Sequence, residues 1–170
     1  MKKETWLNKK SKKMNENGVL LIVDMNKSSA RLSKDILEQL CSNDVIVTET
    51  ITAAKSVMDK NDAVFIIINF LYNNDECLNF IKAIRSETEG KNYKLPILTF
   101  IENNTDITAK DVLNAGASKC IIKPFDHQTL KNNILDIINN PKNFIMTDNY
   151  IGPDRRNENM GVKEDKRNKR

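Results

Sequence analysis

Residues 63–75 read AVFIIINFLYNND: an apolar run that ends on Asn69 and opens into a polar loop. The run is rich in β-branched residues and has no polar alternation, so it reads as a strand covered on both faces. VLLIV, residues 19–23, has the same character upstream, and LPILTFI, residues 95–101, has it downstream. The segments between such runs decide whether they belong to one parallel sheet.

Those segments are helix-length and amphipathic. After VLLIV, residues 28–41 place Leu32, Ile36 and Leu40 at helical spacing, with Ser28 or Ser29 positioned to start the helix. DVIVTE (44–49) reads as a second strand, and TAAKSVMDK (52–60) as a short helix with small residues for close packing on a sheet. AVFIIIN is then the third strand, and residues 75–87 form a helix with Cys77, Ile81 and Ile84 on one face. The strand LPILTFI is followed by ITAKDVLNAG, a helix ended by Gly116 as a C-cap. KCII (119–122) is a fifth strand. HQTLKNNILDIIN (127–139) is a last helix with Asp126 as its N-cap and Leu130, Ile134 and Ile137 inward. Five βα units between residues 18 and 139 imply an α/β domain with a parallel sheet and right-handed crossovers.

The ends differ in composition. Residues 1–17 hold six lysines against two acids, a charge of +4, and residues 140–170 hold eight basic and five acidic groups, +3. The whole chain carries +4, so residues 18–139 carry −3 and the basic balance belongs to the ends. Both ends, 1–17 and 140–170, are expected to be mostly disordered. Neither Lys-rich cluster has the aromatic platforms that select a nucleic-acid strand, so no specific nucleic-acid binding is expected. Cys41, Cys77 and Cys120 are far apart and sit in apolar or helical contexts, which suits reduced core thiols. A lone His127 without a Cys/His cluster argues against structural zinc. The apolar runs are strand-sized, and no signal-peptide-like run follows the basic N-terminus, so a cytoplasmic protein without a membrane span is expected.

LLIVDMN, the strand ending at Asn69, and NAGASKCIIKPF together resemble the receiver domain of bacterial two-component response regulators, over residues 18–139. The resemblance implies a flavodoxin-like (βα)5 three-layer sandwich with a parallel five-stranded sheet of order 2-1-3-4-5 and the site at the carboxyl ends of the strands. In that family an aspartate ending the third strand accepts a phosphoryl group from a histidine kinase. An acidic pair after the first strand holds Mg²⁺, and a Ser/Thr and a Lys before Pro contact the phosphoryl oxygens. Mapped by motif, the acidic pair falls on Asp24 and Met25, the phosphoacceptor on Asn69, and the Ser/Thr on Ile101. Thr99 lies two residues deeper in the same strand. The Lys-Pro pair is Lys123 and Pro124, followed by Phe125, and the switch aromatic falls on Cys120. The Lys123–Pro124 bond is expected to be cis, as it often is in the family.

These departures change the chemistry. An amide oxygen is a poor nucleophile towards phosphorus, and a thioether is a poor ligand for a hard cation. Phosphoryl transfer and Mg²⁺ binding at this site are therefore expected to be lost, leaving no cofactor and no enzymatic activity. Asp24 and Lys123 balance in charge, and without a metal a direct ion pair between them is expected. Two readings of Asn69 stand: drift in a chain that has lost its function, or a domain held in one state. Asp75 and Glu76 follow Asn69 most closely but begin a helix, where acids suit the dipole.

The resemblance also implies protein partners, a histidine kinase or other two-component proteins, met through a face that includes Lys110, Asn114, Cys120, Ile122 and Leu130. The residues after Asn139 are too few and too polar for a helix-turn-helix unit. YIGPDRRN (150–157) is either a turn in a mobile tail or a docking motif, with Tyr150 as anchor and Arg155 and Arg156 meeting anions. The leading expectation is a stand-alone pseudo-receiver that acts by protein–protein contact. The alternatives are a phosphoacceptor using another carboxylate and a small-ligand sensor using the strand-end pocket.

Overall fold

The structure, a computed structural model, describes residues 14, 15, 17–70, 74–88, 90 and 92–156. Most of the basic N-terminal segment and residues 157–170 lie outside them.

In chain order the elements are β1 (Val19–Val23), α1 (Lys27–Leu40), β2 (Val45–Thr48), α2 (Ile51–Lys60), β3 (Ala63–Asn69), α3 (Asn74–Ser86), β4 (Ile97–Ile101), α4 (Ala109–Asn114), β5 (Lys119–Ile122) and α5 (His127–Asn139), with β6 (Phe144–Thr147) and β7 (Tyr150–Pro153) after them. Strands β1–β5 form one parallel sheet in the order β2-β1-β3-β4-β5, as the resemblance implied. Strand periodicity of two sends alternate residues to opposite faces. Leu21, Val23, Ile66, Ile68, Ile97 and Ile101 enter one core with residues of α2, α3 and α4. Leu20, Ile22, Phe65, Ile67, Leu98 and Phe100 enter the other with residues of α1 and α5. Both cores exclude water, which is why the strands read as unbroken apolar runs.

Helix starts follow local chemistry. Asn26 caps α1 by accepting from Ser29 N at 3.0 Å, so the cap lies two residues before the first serine that the spacing suggested. Thr108 and Asp111 form a capping box on α4, which accounts for a helix of only six residues. Asp126 caps α5 as expected, accepting from Thr129 N at 2.7 Å. Gly116, at φ 110, follows the C-cap of α4. The three cysteines are free thiols, half-buried against the cores.

The C-terminal segment departs from expectation. Instead of a mobile tail, β6 and β7 pair antiparallel around Asp148 and Asn149, with Phe144 opposite Pro153 and Thr147 opposite Tyr150. A two-stranded hairpin is marginal by itself, so its stability comes from docking. Arg85 of α3, only 2% exposed, supplies the anchor. Its Nε donates to Gly116 O at 2.8 Å, its Nη1 to Tyr93 O at 2.9 Å, and its guanidinium lies 4.9 Å from the Phe144 ring centroid. Burial lowers the Arg85 pKa to about 10, which leaves it charged at neutral pH. Gly152 lets the hairpin approach closely, because a Cβ there would lie 3.1 Å from Gly116 Cα and 2.5 Å from the Tyr150 hydroxyl.

Candidate functional site at the strand ends

Parallel strands bring their carboxyl ends to one rim, and there Asp24, Asn69, Ile101 and Lys123 come together from β1, β3, β4 and β5. Asp24 and Asn69 are both buried. Asp24 Oδ1 accepts from Asn26 N at 2.8 Å and from Asn69 Nδ2 at 2.9 Å. A carboxylate only accepts, so the amide turns its nitrogen towards Asp24 and its oxygen away. The same Nδ2 lies 3.4 Å from Ser29 Oγ. Asp24 Oδ2 and Asn69 Oδ1 are left buried with no partner among the described residues.

Lys123 does not pair with Asp24. Its ammonium sits 2.8 Å from Glu102 Oε1, just beyond the end of β4, so the expected Asp24–Lys123 latch is corrected to a Lys123–Glu102 pair. The physical reason is proximity: β4 and β5 are neighbours, so the Glu102 carboxylate directly after β4 stands beside the Lys123 ammonium directly after β5. Glu102 also changes the charge count: Asp24, Glu102 and Lys123 sum to −1 rather than zero. Sequence reasoning passed over Glu102. Its signal was its place directly after Ile101, on the rim that Lys123 shares. The Lys123–Pro124 bond is cis, as expected.

The remaining positions sort by burial. Met25 is 65% exposed, with its side chain turned to solvent. Ile101 is buried and apolar where the family pattern has a hydroxyl. Thr99 is fully buried, pairs in register with Cys120 and donates to Lys119 O at 3.0 Å, too deep for the rim. Burial raises the Cys120 thiol above its ordinary pKa, partly offset by its contact with Thr99. Among the described residues no group of three or more His, Cys, Asp or Glu side chains could hold a metal ion.

The residues of the expected partner face differ in exposure. Lys110, Asn114 and Ile122 are exposed and Cys120 is half-buried. Leu130 is fully buried in the core under α1 and α5, so it cannot meet a partner. The tail motif is engaged within the chain. Tyr150 donates its hydroxyl to Pro153 O at 3.0 Å, Arg155 stacks 4.7 Å from the Tyr150 ring and donates to Asn114 Oδ1 at 3.1 Å, and Arg156 pairs with Asp154 at 2.7 Å. Asp75 and Glu76 are exposed in the first turn of α3. No helix of the described residues is long and apolar enough to cross a membrane.

Comparison with known proteins agrees with this geometry. Residues 20–135 match the response regulator receiver domain family. A chemotaxis protein CheY homolog of Campylobacter jejuni is 30% identical over 121 residues, covering 70% of this chain and 91% of the relative. Chemotaxis protein CheY1 of Helicobacter pylori is 29% identical over 113 residues, covering 66% and 90%. Among solved structures, a putative response regulator from Chloroflexus aurantiacus superposes with a TM-score of 0.62 at 23% identity, covering 71% of this chain and 97% of that one. Chemotaxis response regulator CheY4 of Vibrio cholerae gives 0.60 at 21% identity, covering 71% and 98%. The family match, the strand order and the rim built from Asp24, Asn69 and Lys123 agree: this chain belongs to the response regulator receiver domain family of two-component signalling.

Proposed function

We propose that this chain is a pseudo-receiver, a two-component signalling protein that acts by protein–protein contact without taking a phosphoryl group at its strand-end site. The observation that carries this reading is Asn69 at the end of β3, with its amide nitrogen hydrogen-bonded to Asp24. An amide in that place cannot attack phosphorus as a carboxylate does. Receivers generally use Mg²⁺, which takes close to six oxygen ligands and favours anionic ones. The site offers Asp24 Oδ2 and one neutral amide oxygen, Asn69 Oδ1; the Glu102 carboxylate is engaged by Lys123, and the Met25 thioether faces solvent. These donors do not fit Mg²⁺, so no step of the function runs through a metal.

The partners are a histidine kinase or other two-component proteins in the cytoplasm, met through the exposed part of the α4–β5–α5 face at Lys110, Asn114 and Ile122. Tyr150, Arg155 and Arg156 would have to leave their internal contacts to dock elsewhere, so we place the contact on the domain face.

A second reading, a phosphoacceptor on another carboxylate, draws on the unpartnered Asp24 Oδ2. Incubation of the full chain with a small acyl phosphate and Mg²⁺, followed by intact mass, separates the two. The pseudo-receiver reading expects no added phosphoryl mass. An adduct that disappears in Asp24→Ala or Glu102→Ala establishes the second reading instead.

A further inference from the structure

The two ends of α4 are held differently. Thr108 and Asp111 cap the amino end through contacts within residues 108–111. Val112 is the one buried side chain of the helix, and six residues do not hold a helix by backbone hydrogen bonding alone. The carboxyl end is held by distant parts of the chain. Arg85 Nε donates to Gly116 O at 2.8 Å, and Arg155 Nη2 donates to Asn114 Oδ1 at 3.1 Å. Two glycines let the hairpin come in backbone against backbone. A Cβ on Gly116 would lie 2.8 Å from Ile151 O, and one on Gly152 would lie 3.1 Å from Gly116 Cα.

The hairpin ties these contacts to one another. The Arg85 guanidinium that holds Gly116 also lies 4.9 Å from the Phe144 ring, and Arg155 reaches Asn114 from a position 4.7 Å from the Tyr150 ring. Phe144 begins β6 and Tyr150 begins β7, so the pairing of the two strands places both rings. Opening the hairpin therefore takes the ring from Arg85, the Ile151–Gly152 backbone from Gly116 and the Arg155 donor from Asn114 together. Residues 144–153 lie outside residues 20–135, so this support is an addition to the receiver fold. Lys110 and Asn114, one helical turn apart, are exposed on the α4 side of the proposed partner face.

We propose that the hairpin is a clamp on the carboxyl end of α4: docked, it fixes the helix and engages Asn114, and undocked, it releases both. The link to partners rests on the α4–β5–α5 reading of the partner face, since a protein that takes the Asn114 amide displaces Arg155 and loosens the clamp. The experiment reads α4 itself, so its outcome does not depend on whether that face meets a partner. Asp154 N donates to Asn143 O at 2.7 Å, and alternation along the ladder makes Ile145 and Gly152 the next hydrogen-bonded pair. Ile145→Pro removes an N–H from that pair and opens the hairpin, with Arg85, Gly152 and Arg155 unchanged. In hydrogen exchange on the full chain, Ala115, Gly116 and Ala117, whose amides bond back to Asp111, Leu113 and Val112, should then exchange roughly tenfold faster, the scale of one lost hydrogen bond. Amides of α2 should change by less than about twofold. No change at residues 115–117 while residues 144–153 exchange freely would overturn the proposal, and so would an equal rise in α2. The parent chain supplies a second reading should the variant fail to fold. In low denaturant, residues 144–153 and 115–117 should open in one step with a common denaturant slope, ahead of β1 and β3. Opening of either segment while the other stays protected would overturn the clamp.

Discussion

Asn69 donates Nδ2 to Asp24 Oδ1 at 2.9 Å, joining the ends of β3 and β1 by a single buried hydrogen bond. Where receivers set two acids against each other and a metal, this chain sets a donor against an acceptor.

Asn69→Asp should therefore destabilise the protein by about 1–3 kcal/mol at pH 7, because it exchanges that bond for like charges in contact. One of the two carboxyls would have a raised pKa, so stability is present at low pH and lost as pH rises through that value. Chemical denaturation at pH 5 and pH 7 checks this. Adding Met25→Asp should make the variant respond to millimolar Mg²⁺, while the parent chain does not respond.

The Lys123–Glu102 pair is part-exposed on both sides, 19% and 45%, so its coupling is expected to be small, about 0.5 kcal/mol and no more than about 1. A double-mutant cycle of Lys123→Met with Glu102→Gln measures it. A coupling of Lys123 to Asp24 larger than that to Glu102 would contradict the geometry.

Arg85→Met leaves the carbonyls of Gly116 and Tyr93 without their donor and takes the cation from the Phe144 ring. The expected loss is about 2–4 kcal/mol. Hydrogen exchange should quicken first at residues 144–153 and later in β1 and β3. Gly152→Ala should loosen the same segment by a different route, through the contact of its new methyl with the Tyr150 hydroxyl and Gly116 Cα.

Burial raises the Cys41 and Cys77 thiols to about 11 from an ordinary value of 9.0, with Glu76 adding to the rise at Cys77. A folded-state pKa above the unfolded one gives stability that is present below about pH 9 and lost as pH climbs towards 11. At pH 8 the thiolate fraction of each should be roughly a hundredfold below that of the unfolded chain. Iodoacetamide labelling, native against denatured, should show the corresponding slowing at these two cysteines.

Much of the molecule was legible in the chain. Unbroken apolar strands, capped amphipathic helices and the Lys123–Pro124–Phe125 close identify a parallel sheet and place Asp24, Asn69 and Lys123 on one rim, because strand and helix periodicities are local properties. Choices made between distant groups were not legible. Lys123 pairs with Glu102 because neighbouring β4 and β5 set the two side by side, a proximity that exists only once the strands pair. Leu130 belongs to the core because helix packing sets which stripe of α5 is covered. The hairpin has a local signal, FIMT and YIGP around Asp148–Asn149, but two four-residue strands cannot hold themselves together. Its order comes from Arg85, which lies 59 positions before Phe144 in the chain and under its ring in the fold.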